Sequence, residues 1–178
     1  MMPFNEILIA LRAELADALA TTVINGLPVT VRSYRHRESK TEERPCVAIR
    51  YMSNDVSPRV GRQETSAGMP EVVMELAVDL VIDMDLPEEE DDPASIEGDP
   101  TGFGDHAAVL AVILDRLMPG PDVNDGEPNT LGGRLWDVAY DGTSPDEGDA
   151  TPDAARMEER LVLLYRVRAD QPTVLLRS

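Results

Sequence analysis

This chain has one cysteine, Cys46, and two histidines, His36 and His106. That count excludes a disulfide scaffold, a zinc ribbon and a multi-histidine metal site. Aromatic residues make up only 4% of the sequence, too few for a platform that stacks single-stranded nucleic acid. Basic residues are also scarce. Sixteen Lys and Arg stand against 34 Asp and Glu, giving a formal charge of -18 and a pI near 4.3. Such a surface repels duplex DNA and anionic membranes, because affinity for phosphate comes from neutralising it with Lys and Arg. No apolar run approaches the roughly 20 residues that cross a bilayer. The first 23 residues are interrupted by Glu6, Arg12, Glu14 and Asp17, whereas a signal peptide needs an unbroken apolar stretch. These absences predict a soluble protein made in a cytoplasm, with no membrane partner.

What is present suffices for a core. Hydrophobic residues are 42% of 178, the size of one ordinary domain, and we see no internal repeat. Phe4, Ile7, Leu8, Leu11, Leu15 and Leu19 recur at helical steps, predicting an amphipathic helix from Phe4 towards Val23 that Asn25-Gly26 ends. Val29 and Val31 predict a short strand, and Val47, Ile49 and Tyr51 a second one after Pro45. Met74, Leu76, Val78, Leu80 and Ile82 alternate with Glu75, Ala77, Asp79, Val81 and Asp83, the pattern of a long strand. A second helix is expected from Asp105 to Met118, with His106 half-exposed in its first turn. Leu135 to Tyr140 and Glu159 to Arg168 read as two further strands, the last apolar on both faces and so central in its sheet. The order predicts an α+β fold: an antiparallel or mixed β-sheet with two α-helices packed on one face. It would be a single domain over 1–178 with long acidic loops, at 86–103 and 142–152, and a C-terminal tail at 170–178.

Charge is segregated along the chain. Between Arg32 and Arg62 lie eight of the basic residues and only four acids, Glu38, Glu42, Glu43 and Asp55. From Asp83 to Asp105 there are ten acids and no base. Opposite patches on one chain let copies meet head to tail, and such contacts close into rings when the rotation permits. Arg50, Arg59 and Arg62 on one side, with Glu88, Glu89 and Glu90 on the other, are therefore the candidate subunit-interface residues.

Chemistry is harder to find. Cys46 falls within a strand pattern, where a small buried thiol is the ordinary role. His106 in the first turn of a helix could serve as a base, but a histidine there is more often half-exposed and idle, and His36 in its basic, turn-rich stretch reads the same way. Gly98 to Gly104 places glycines before a helix, but no Lys follows and its flanks are acidic, which would expel a phosphate. Asp122-Val123-Asn124-Asp125-Gly126-Glu127 resembles the start of a calcium loop, with its Gly one position early for an EF-hand and no bidentate Glu at the right distance. The sequence thus predicts neither an enzyme nor a resident cofactor or metal.

The layout resembles the tail terminator family of long-tailed bacteriophages, the lambda-type minor tail protein U group. The resemblance lies in the helix Phe4 to Val23, the Pro-led strand Pro45 to Tyr51 and an arm before the long strand Glu71 to Asp83. It continues through the helix Asp105 to Met118 and Leu135 to Asp141, and closes with Glu159 to Arg168. It covers most of the chain as a pattern of elements. What it implies is a structural virion protein of the tail or neck, assembled in the host cytoplasm as a homo-oligomer, a hexameric ring. Such a ring caps the head-proximal end of the tail tube, ends tube polymerisation and presents a surface for head-tail joining. Its implied partners are the tail tube protein and a head connector or neck protein, and DNA passes through without specific binding. Two alternatives stay open at this level. One is another neck component, a head-closure or connector-adaptor protein; the other is a monomeric acidic calcium-binding module or hydrolase.

Overall fold

The computed structural model describes residues 2–34, 44–58, 62–64, 70–85, 103–118, 129–145 and 154–177. The first helix, α1 (Pro3–Ala18), carries Pro in its opening turn, where the missing N–H costs nothing. Its buried stripe is Ile7, Leu11 and Leu15, one residue per turn. The helix stops at Ala18, short of the expected Val23. Thr22 and Val23 are β-branched and suit extended backbone better. Asn25-Gly26, expected to end the helix, instead closes a two-residue hairpin between β1 (Val23–Ile24) and β2 (Leu27–Pro28), with φ of 50° and 77°. Asn-Gly adopts these left-handed conformations more readily than other pairs, and they match the twist of a hairpin.

The main sheet is built on two long strands. β6 (Pro70–Asp85) has 16 residues and β8 (Ala154–Arg168) has 15, each spanning roughly 50 Å at the usual rise per residue. They pair antiparallel through fifteen positions from Glu71↔Arg168 to Asp85↔Ala154. The sheet runs in the order β3-β4-β6-β8-β7, where β3 is Thr30–Tyr34, β4 is Cys46–Val56 and β7 is Asp137–Pro145. β5 (Arg62–Glu64) adds to β6, and β9 (Gln171–Leu176) adds to β8. β3 pairs parallel to β4 and every other pairing is antiparallel, so the sheet is mixed.

Both helices lie on one face of this sheet, as the hydropathy pattern requires. α2 (Phe103–Leu117) buries His106, Val109, Ile113 and Leu117. These residues and the α1 stripe form one core with Val47, Ile49, Leu76, Val78, Leu80, Ile82, Leu161 and Leu163. The two helices are also tied at their surfaces, since Arg116 bonds both Glu14 and Asp17, and Asn129 donates to Glu14 at 2.8 Å. β8 lies between β6 and β7, the central place its two apolar faces predict. The residues expected as a C-terminal tail instead add β9, because β8 offers an unpaired rim at Arg166–Arg168 for them to use. Residues 142–145, expected within a loop, extend β7.

Candidate functional site

Alternation along β6 sends Glu71, Val73, Asp79 and Asp83 to the face opposite the helices. No helix packs there among the described residues, yet Asp79 is 1% exposed and Asp83 is 0%. A buried carboxylate demands partners, and the sheet register supplies them. Arg160 sits directly across from Asp79 on β8, and Arg50 directly across on β4. Arg160 Nε donates to Asp79 at 2.8 Å and Arg50 at 3.1 Å. Arg50 also bonds Glu158, which lies beside Arg160 on β8. Two same-face positions further along β6, Arg156 reaches Asp83 at 2.9 Å and Arg44 contacts it at 3.0 Å. At the other end Arg166 approaches Glu71 at 3.7 Å.

The result is a polar sheet face with acids beneath and guanidinium groups above. The Arg160 side chain is 45% exposed over an Asp79 that is almost sealed. Burial pushes the Asp79 carboxyl up, but the hydrogen bonds from Arg160 and Arg50 outweigh it and hold the group below the usual carboxylate range. Arg50 and Arg160 are matched by Asp79 and Glu158, and Arg166 by Glu71, whereas Arg44 and Arg156 share the one carboxylate of Asp83. This face has little positive charge left to offer a phosphate.

A second charged cluster lies on the helix side. Glu159 occupies a position in β8 whose neighbours on that face are Leu161, Leu163 and Tyr165, and it is fully buried. Tyr140 and Thr143 of β7 donate to its Oε2 at 2.6 and 2.8 Å. Its Oε1 lies 3.0 Å from His106 Nε2 at the start of α2. His106 is 5% exposed, not half-exposed. Burial lowers its pKa, with Glu159 opposing from 3.0 Å. Burial also raises the Tyr140 phenol, helped by its bond to Glu159. His106 and Glu159 are both shut from solvent, and their contact ties α2 to the sheet.

Of the sequence candidates, Arg50 belongs to this ion-paired face, held by Asp79 and Glu158. Arg62 opens β5 opposite Val72. Arg59, Glu88, Glu89 and Glu90 lie outside the described residues, as does the turn from Asp122 to Glu127. Cys46 is buried in β4. Among the described residues no three His, Cys, Asp or Glu side chains cluster as metal ligands would. A groove of about 560 Å³ between α1 and the turn at Leu131–Arg134 is lined by Glu6, Ile9, Ala10, Ala13 and Gly132 among others. Of its three charged residues, Glu6 and Arg134 are bonded to each other at 3.0 Å and Glu14 is held by Arg116 and Asn129, which leaves the groove little chemistry.

Sequence reasoning missed Asp79, Asp83, Glu159 and His106 as interacting groups. A signal existed for Glu159, since a carboxylate two residues before Leu161 continues the apolar face of β8. For His106 the signal was its place in the stripe of Val109, Ile113 and Leu117. No protein-family model matches the chain, and no curated protein matches it.

Proposed function

We propose that this chain is a structural, non-enzymatic virion subunit that resembles a bacteriophage tail terminator. Copies form a ring, hexameric by that resemblance, on the head-proximal end of the tail tube, where it ends tube polymerisation and receives the head connector. The observation that carries the reading is the ion-paired sheet face. A protein that lets DNA slide past needs a broad polar surface with no free cations, since each uncompensated Lys or Arg adds phosphate affinity. Here Arg50, Arg156 and Arg160 are each held by Asp79 or Asp83 of the same chain.

The charge balance of the whole chain supports the same reading. Seven acids between 86 and 102, three between 119 and 128 and four between 146 and 153 are accompanied by no Lys or Arg. Two of these segments leave the sheet at one end, where β6 finishes at Asp85 opposite the start of β8 at Ala154. Acid-rich segments discourage DNA from sticking. The test is electron microscopy of polymerising tail tube protein with the chain added. The reading predicts short tubes, each capped at one end. Uncapped tubes of unchanged length, or binding to a connector ring alone, would reject the terminator role.

A further inference from the structure

The sheet ends at β3 on one side and at β7 on the other, and each pairs with a single neighbour among the described residues. A bare edge is a row of unsatisfied N–H and C=O groups, which proteins cover or blunt with Pro, Lys or a bulge. β3 reads Thr-Val-Arg-Ser-Tyr and has none of these. Thr30 N–H donates to Pro45 C=O of the β4 side at 3.1 Å. Alternate residues turn their backbone groups to opposite sides, so Thr30 and Arg32 face β4 while Val31 and Ser33 face outward. Val29, on that outward side, already uses its N–H to bond Thr22 at 3.1 Å. The outward row therefore begins at Val31.

The other rim differs in charge. β7 carries Asp137 and Asp141, both exposed, and no base. Trp136, just before it, keeps 39% of its surface in solvent. The charged residue of β3 is Arg32. Pairing β7 with β7 would set acids against acids, and β3 with β3 would set Arg32 near its own copy. Only β3 against β7 joins unlike charge.

Strand direction adds an independent argument. β3 is parallel to β4, and the three steps from β4 to β7 are all antiparallel. β7 consequently runs opposite to β3. A second copy rotated about an axis along the strands keeps its direction, so its β3 meets β7 as an antiparallel ladder, the more stable kind.

We propose that β3 of one copy pairs antiparallel with β7 of the next, so that the sheet continues from subunit to subunit. The pairing rests on the ring reading above and supplies its contact, a heterologous one that can close. Val31 and Ser33 provide the backbone groups on one side; the facing strand is β7, which is regular from Asp137 to Tyr140, bulges between Tyr140 and Gly142, and has Val138 N–H bonded to Asp137 Oδ1 at 2.8 Å.

The test uses the full chain with Ser33→Cys in one preparation and Asp141→Cys in another, co-assembled and treated with a short bismaleimide. Cys46 is buried and stays silent. The expected result is a covalent dimer from the mixture and none from either variant alone. Self-linking of Ser33→Cys would mean β3 pairs with β3 and overturns the proposal. A ring of defined mass with no cross-link would reject the edge pairing and leave the ring reading standing. A monomer at every concentration would reject both. Ser33→Pro removes one outward N–H and leaves the β4 ladder intact. It should convert the assembly to monomer with an unchanged far-UV circular dichroism spectrum, and an intact assembly would contradict the pairing. If that variant does not fold, the cross-linking decides.

Discussion

Glu159 and His106 meet beneath α2, with Oε1 of one 3.0 Å from Nε2 of the other and both shut from solvent. The carboxylate also accepts from Tyr140 and Thr143. One side chain therefore connects the start of α2, the middle of β8 and the edge strand β7. Glu159→Ala would leave the buried His106, the half-buried Tyr140 and the exposed Thr143 without their shared carboxylate. Leaving a buried polar group without its partner costs about 1–3 kcal/mol. Urea unfolding should show a loss of that size, and a loss under about 1 kcal/mol would mean the cluster contributes little to stability.

The same contact makes stability depend on pH. Burial lowers the His106 pKa, so the unfolded chain binds a proton there that the folded chain resists. Stability then falls as pH drops through the ordinary histidine value of about 6.5. His106→Gln removes the titration. The Tm difference between wild type and His106→Gln should shift against the wild type between pH 7.5 and 5.5. Parallel profiles would contradict the assignment.

Asp79 has the opposite sign. Burial raises its pKa, but Arg160 and Arg50 more than reverse this, so the folded value lies below the unfolded one. Its contribution is present above pH ~4 and is lost as pH falls through the folded value. Asp79→Asn should cost about 2 kcal/mol at pH 7, discounted because both arginines are partly exposed. The gap between variant and wild type should narrow below pH 4. A gap that stays constant would show that the carboxylate charge is not what holds the arginines.

Leu80 and Leu163 test the two-faced sheet. Both are buried on the helix side of the long strands. Leu163→Ala should cost about 3 kcal/mol, and Leu80→Asp should prevent folding. Near-wild-type Tm for Leu163→Ala would mean the core is not where the alternation puts it.

The alternation in β6 and β8 and the three- and four-residue steps of α1 and α2 were legible because each pattern is long and has one period. They carried the fold class and the placement of both helices. Parallel pairing of β3 with β4 was not legible, since the residues joining them encode no crossover signal. β9 was hidden for a related reason: Gln171 to Val174 are exposed and become a strand only because β8 is beside them. Arg50 was visible as a charge of interest. Its partners were not, because Asp79 and Glu158 lie 29 and 108 residues away and meet it only through sheet register. Glu159 and His106 escaped for the same reason, each being an isolated polar residue in an apolar pattern.

Light scattering of the purified chain across a concentration series, at low and moderate salt, tests the central claim most directly. The account predicts a closed oligomer of fixed mass, six subunits by the family resemblance, formed as concentration rises. A monomer at every concentration, or a mass that grows without limit, would contradict it.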